Sequence, residues 1–261
     1  VTEAATLPPL ASRHFPGDPD RPALGLHCMM GASGLFQPLA EHLDGLIDLR
    51  AFDYPGHGRS PDWQGDDLHG VVTRHAASLI DRPLDLIGHS FGATVALRIA
   101  VGAPHAIRSL TLVEPVLFAA ASTPAQQAQT ARLAPFEASG DWDGMLRRFL
   151  SDWGSPGAEI PTDGPRAARL RQQMRMVVDT NEALMQDRAR ILREGGLEQI
   201  EAPVMLIAGA DSPPIVHEIA DALAARLPDV ARATIPDAGH MLPLTHAAAF
   251  ADLTRMNLER A

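Results

Sequence analysis

The chain has 261 residues, 46% of them hydrophobic, enough to bury a sizeable core in one elaborated α/β domain or in two smaller ones. Its 32 acidic and 22 basic residues give a formal net charge of −10, which argues against a nucleic-acid surface and against binding to anionic membranes. No apolar run reaches the roughly eighteen residues of a membrane-spanning helix, and the single cysteine, Cys28, excludes an intrachain disulfide.

The opening stretch, VTEAATLPPLASRHFPGDPDRP, is polar and proline-rich, without the basic-then-apolar order of a signal peptide. It starts at Val1 rather than Met, so a removed leader stays open. ALGLHC (23–28) reads as a buried strand and 32–45 as a helix that begins near Ser33 and ends at Gly45. LIDLRAF (46–52) is the next strand. Between Asp66 and Asp81 the apolar residues recur at helical spacing. LDLIG (84–88) is a strand, 91–102 a helix that stops before Pro104, and SLTLVEP (109–115) a strand again. Residues 117–200 hold several helix-like pieces and no convincing strand. Alternation resumes with VMLIAG (204–209), a helix near 214–227, ARATIP (231–236) and a last helix from about 246. Such alternation predicts a mostly parallel sheet with helices on both faces. The expected division is a core of 1–116 and 201–261, with 117–200 inserted as a helical cap over the strand C-termini, where ligands bind in such sheets.

Gly88-His89-Ser90-Phe91-Gly92 fits G-x-S-x-G between a strand and a helix. A sharp turn there strains the serine backbone, and the residues two before and two after approach their neighbours too closely for a Cβ. The following helix points its positive end at the site. A serine at its ordinary pKa is a poor nucleophile, so a base must lie within hydrogen-bond reach. His240, in IPDAGHMLPLTH, follows the last strand on a loop marked by Pro236, Asp237 and Gly239, free to reach across a crevice. The eleven histidines show no metal-ligand spacing, and neither CxxC nor HExxH occurs, so no metal and no cofactor is expected.

Together, G-H-S-F-G at 88–92, G-H-M at 239–241, F-D-Y-P-G-H-G-R-S at 52–60 and L-H-C-M-M-G at 26–31 resemble the α/β-hydrolase fold superfamily, over nearly the whole chain. The resemblance implies that 52–60 is structural, with His57 and Arg59 shaping the fold and the pocket edge. It also implies that 26–31 is an H-G-x-x-G-like oxyanion loop, in which the N–H of Met29 pairs with that of Phe91; Met30 is the neighbouring alternative. Cys28 stands where the family has glycine, either narrowing the pocket or serving as a small residue at a strand end. The family places its acid after the strand written here VMLIAG, in a G-x-x-D setting. This chain reads Gly209-Ala210-Asp211, one residue shorter. Glu114, directly after the strand that follows the nucleophile helix, occupies the position some members use instead. Both stay open as the residue that orients His240, and Asp211 has capping of the next helix as its other use.

A serine nucleophile implies an acyl-enzyme and makes the alkyl-enzyme reactions of aspartate-bearing relatives improbable. Met145, Leu146, Phe149, Leu150 and Trp153 have helical spacing suited to roofing an apolar pocket or docking the cap on the core. Cys28, Met30 and Met241, with Phe149 and Trp153, are the expected substrate contacts. The expected function is a carboxylesterase acting on a small or medium ester with an apolar acyl group. C–C bond hydrolysis, lactone hydrolysis and perhydrolysis use the same residues. A lyase of the hydroxynitrile kind and a non-catalytic ligand receptor are the alternatives from other classes. The expected partner is a small-molecule substrate, with no nucleic acid and no membrane span, on a cytoplasmic monomer or homodimer.

Overall fold

A computed structural model describes residues 9–261; the first eight residues of the expected core lie outside the described residues. Seven strands form one sheet in the order β1-β3-β2-β4-β5-β6-β7. They are β1 (Ser12–Phe15), β2 (Pro22–Leu26), β3 (Asp48–Phe52), β4 (Leu84–His89), β5 (Ile107–Val113), β6 (Val204–Gly209) and β7 (Val230–Ile235). All neighbours pair in parallel except β1, which runs antiparallel to β3 at the edge. Six strands and their boundaries follow the sequence reading to within a few residues. β1 was not anticipated, because SRHF is four residues long, largely exposed and without apolar alternation.

The central strands β4 and β6 are buried at every position. Along them alternate residues point to opposite faces. Leu86, Leu110, Leu112 and Leu206 join a core with α2 (Leu68–Ser78), α3 (Phe91–Gly102) and α8 (Pro214–Ala224). Ile87, Val113, Met205 and Ile207 join a second core with α1 (Gln37–Leu43) and α10 (Ala247–Leu258). A sheet covered on both faces needs continuous apolar strands, which is how these strands read in the sequence.

Between β5 and β6 lie α4 (Thr123–Ala131), α5 (Ala134–Ser139), α6 (Trp142–Trp153) and α7 (Gly164–Met185), and no strand among the described residues. Asp141 caps α6 by accepting from the Gly144 N–H at 2.8 Å. Met145 and Leu146 of α6 bury against Met174 of α7, a small core separate from the two above. α7 is tied to the sheet domain where the Gln173 side chain donates to the Gly56 carbonyl at 3.1 Å. A short α9 (Leu242–Thr245) separates the His240 loop from α10.

The strand ends are what matter for the site. His89 of β4 stands opposite Val113 of β5, and Val113 opposite Ile207 of β6. The ladder continues one residue further: the Ser90 N–H donates to the Val113 carbonyl at 2.8 Å, and the Glu114 N–H to the Ile207 carbonyl at 2.9 Å. Two polar residues are thus fixed side by side by sheet hydrogen bonds, at the C-terminal edge where such sheets bind ligands.

Candidate active site

Ser90 has φ 58° and ψ −118°, a conformation that costs a non-glycine residue on the order of 1–3 kcal/mol and persists only where the surroundings dictate it. The flanking glycines show what dictates it. A Cβ on Gly92 falls 2.0 Å from the Leu26 carbonyl oxygen, and one on Gly88 falls 2.6 Å from Ala93 Cα. Helix α3 therefore starts hard against β2 and β4, and the serine is the hinge.

His240 Nε2 lies 2.9 Å from Ser90 Oγ, and its Nδ1 lies 2.9 Å from Glu114 Oε2. Because a carboxylate only accepts, the Nδ1 proton points at Glu114; Nε2 is then bare and accepts from the serine hydroxyl. Glu114 is fully buried, Ser90 and His240 nearly so. A buried carboxylate needs partners, and the other oxygen has two: Oε1 accepts from the Gly209 N–H at 2.6 Å and from the Ser212 hydroxyl at 2.7 Å. Glu114 itself has φ 53°, so both residues past the paired strand ends are held in the left-handed region.

Of the two candidate acids, the structure brings only Glu114 to His240. The Asp211 side chain is exposed and has no hydrogen bond to the histidine. Nor does it cap α8, whose N-cap is Pro213. Its backbone serves the site instead, the N–H donating to the Ala238 carbonyl at 2.9 Å to hold the loop that carries His240. Ser212, the next residue, is the one turned inward. Sequence reasoning missed it, and its only local signal was a hydroxyl next to the position where the acid is expected.

The 26–31 loop rests on His27, a second residue the sequence reading passed over. Its Nδ1 donates to the Cys28 carbonyl at 2.7 Å and its Nε2 accepts from the Tyr54 N–H at 3.2 Å, so the tautomer is fixed by its partners. The ring stacks on Tyr54 with centroids 3.7 Å apart. Burial pushes its pKa down to about 3, with His57 adding to the effect. Met30 takes φ 61°. The N–H groups of Met29 and Phe91 donate to no protein acceptor among the described residues. Cys28 is a buried core residue whose Sγ lies 2.9 Å from where a Gly31 Cβ would be, so thiol and glycine share one space. Burial pushes that thiol up to about 12, which keeps it protonated and unreactive.

Ser90 and His240 open into a cavity of about 250 Å³. Cys28, Met29, Met30, Phe91, Met241, Phe149 and Trp153 all line it, and Met145, Leu150, Leu170, Val177 and Val178 extend its apolar wall. Polar groups of α4 to α7, including Gln129, Glu137 and Arg166, complete the lining. Trp153 crosses the His240 ring nearly perpendicular, with centroids 4.6 Å apart. His57 and Arg59 are not part of this wall. The buried carboxylate Asp53 ties their segment together, accepting from the Ser33 and Arg59 N–H groups at 2.7 and 2.8 Å. Their role is in the fold and not at the pocket edge.

A strained serine, a histidine and a buried carboxylate, bonded in series at the carboxyl edge of a mostly parallel sheet, is the arrangement of a serine-dependent hydrolase. The chain belongs to the alpha/beta hydrolase family, whose model matches residues 23–253. It is similar to the pimeloyl-[acyl-carrier protein] methyl ester esterase of Methylococcus capsulatus, 29% identical over 82% of this chain and 85% of that one. The enzyme of the same description from Nitrosomonas europaea is 30% identical over 82% of this chain and 86% of its own. Among solved structures, a 2-hydroxy-6-oxo-6-phenylhexa-2,4-dienoate hydrolase from a Rhodococcus species superposes with a TM-score of 0.70. That match covers 97% of this chain and 99% of the other at 18% identity, a likeness of fold alone. No helix among the described residues is long and apolar enough to cross a membrane.

Proposed function

We propose that the protein is a serine hydrolase that cleaves carboxyl esters with an apolar acyl group, through an acyl-enzyme on Ser90. The observation that carries this reading is the series of two 2.9 Å hydrogen bonds from Ser90 Oγ through His240 to Glu114 at the floor of an apolar cavity. As Ser90 Oγ attacks the ester carbonyl carbon, His240 Nε2 takes its proton. The carbonyl electron pair moves onto oxygen, which the Met29 and Phe91 N–H groups receive. Glu114 stays ionised and stabilises the imidazolium across Nδ1–H. Collapse breaks the bond to the alcohol, which leaves with the proton from His240. Water then repeats the sequence at the acyl carbon and frees the acid. The scheme uses no metal or cofactor.

In this reading residues 117–200 act as a cap, the wall of α6 and α7 selecting the acyl group over a core of 1–116 and 201–261. The methyl ester named for the relatives makes methyl esters of medium-chain acids the first natural-type substrates to try. A single cysteine, held as a buried thiol, suits a cytoplasmic setting. The test is incubation with a fluorophosphonate probe and with p-nitrophenyl butyrate, alongside methyl hexanoate and methyl octanoate. Labelling at Ser90 and turnover, both lost in Ser90→Ala, are expected. Absence of labelling and of turnover in the native protein overturns the proposal.

A further inference from the structure

His240 is held at two points. Its ring is held by Ser90 and Glu114. Its main chain is held by His89, whose Nε2 lies 2.9 Å from the His240 carbonyl oxygen, a bond between residues 151 apart in the chain. Because a carbonyl only accepts, the His89 proton sits on Nε2. Nδ1 is then bare, and it is buried with no hydrogen-bond partner among the described residues. The two rings lie with centroids 5.0 Å apart and tilted by 39°. His89 is fully buried and is the last residue of β4, locked by register opposite Val113.

This placement has a geometric consequence. The strand end that carries Ser90 also grips the loop that carries the base. Elsewhere that loop is pinned by the Asp211 N–H on Ala238 and by the Leu242 N–H on Gly239, with Asp237 in the left-handed region at φ 57°. His89 supplies the hold at residue 240 itself. The separation of Ser90 and His240 therefore rests on a rigid strand and not on a loop alone. We propose that His89 is a positioning residue for the base, its Nε2–H fixing the His240 main chain so that the imidazole meets Ser90 and Glu114 together. The inference rests on the hydrolase reading above. Burial, with His240 alongside, holds the His89 pKa well below the usual imidazole range. The residue thus grips the loop without placing a second cation beside the imidazolium that forms during turnover.

Three variants separate this role from mere packing. Glutamine carries an N–H donor as many bonds from Cα as histidine Nε2. Asparagine reaches only as far as Nδ1, and leucine has no donor. His89→Gln is expected to keep the acylation rate constant for p-nitrophenyl butyrate within about threefold of native, whereas His89→Asn and His89→Leu lose about 30- to 100-fold at nearly unchanged KM, the scale of an ångström of misplacement. The low-field proton resonance of the His240 Nδ1–H bonded to Glu114 is expected to persist in His89→Gln and to shift or vanish in the other two. Thermal unfolding confirms that each variant is folded; if His89→Leu is not, the Asn and Gln pair carries the test. Equal losses in all three, or full activity with an unmoved resonance in all three, overturns the proposal. If the native enzyme itself neither labels nor turns over, the hydrolase reading has failed instead, and the resonance alone still decides whether His89 positions His240.

Discussion

Glu114→Gln reaches the centre of the proposed chemistry with a change of one atom. Glu114 Oε1 accepts from the Gly209 N–H and the Ser212 hydroxyl, while Oε2 faces His240 Nδ1. The Gly209 donor is backbone and cannot turn away, so a glutamine at 114 must place its carbonyl oxygen there and its NH2 toward His240. That NH2 is a donor, so Nδ1 must accept and the ring proton moves to Nε2. Nε2 then donates to Ser90 and can no longer take its proton. A base locked in the wrong tautomer costs about 10³- to 10⁴-fold in kcat, or about 4 to 5.5 kcal/mol of barrier at 1.36 kcal/mol per decade. The assay is kcat on p-nitrophenyl butyrate, normalised to active sites titrated with a fluorophosphonate, with nitrogen NMR reporting the His240 tautomer. Asp211→Asn, whose side chain is exposed, serves as control and is expected to stay near native. A Glu114→Gln enzyme within tenfold of native, or an equal loss in Asp211→Asn, refutes the reasoning.

Ser212→Ala removes one of two donors to a buried carboxylate oxygen and is expected to cost about 1.5–3 kcal/mol of stability, read in urea unfolding. Its kcat should fall less than tenfold, because the Gly209 and His240 bonds remain. Trp153→Leu removes a ring 4.6 Å from His240; if its face stabilises the imidazolium at about 0.5–2 kcal/mol, kcat falls by a few-fold to about 30-fold, whereas a change confined to KM reduces Trp153 to pocket lining. Acid should unfold the protein steeply. Burial lowers His27 to about 3 and His57 and His69 to about 4, so their contribution is whole above pH 6.5 and is lost as the pH falls from there toward 4. With His89, which burial likewise holds well below the usual imidazole range, four protons taken up on unfolding correspond to a slope of about 5 kcal/mol per pH unit inside that window. A urea midpoint unchanged between pH 7 and 5 argues that these rings are not held neutral.

What the sequence carried and what it left open divide along one physical line. The turn at Ser90 was legible because it leaves a local pattern, a glycine two residues before and two after the serine, even though only Gly88 is crowded by its own helix start and Gly92 is crowded by the Leu26 carbonyl of β2. The buried strands were legible because both sheet faces are covered, which demands continuous apolar runs. Which carboxylate meets His240 was not legible, because Glu114 and Asp211 lie one and two residues past the ends of apolar strands that pair side by side. What separates them is side-chain direction, set by the left-handed turn at Glu114 and by the use of the Asp211 N–H to hold Ala238. Ser212 and His89 escaped notice for a related reason. Their partners lie 98 and 151 residues away, and a polar residue whose partner is remote leaves no pattern in its own neighbourhood.

Gly209 joins these remote contacts, and it offers the sharpest separation between holding the acid and holding the base. Its N–H bonds Glu114 at 2.6 Å, and a Cβ added to it falls 2.2 Å from the Ala238 carbonyl oxygen, two residues before His240. Both Ser212→Ala and Gly209→Ala therefore touch the surroundings of Glu114 Oε1, but only the second pushes on the His240 loop. The obstacle is backbone, with no flexible side chain to yield, so either β6 or the loop must move. Overpacking of this kind costs about 1–3 kcal/mol of stability, similar to the Ser212 variant. The two diverge in rate, since displacing the base by about an ångström costs about 100-fold. Gly209→Ala is thus expected to lose far more kcat than Ser212→Ala at comparable unfolding free energy, as measured on p-nitrophenyl butyrate and in urea. Equal rates in the two variants would mean that the loop absorbs the methyl group without moving His240, and that the close approach at Gly209 is a matter of packing and not of catalysis.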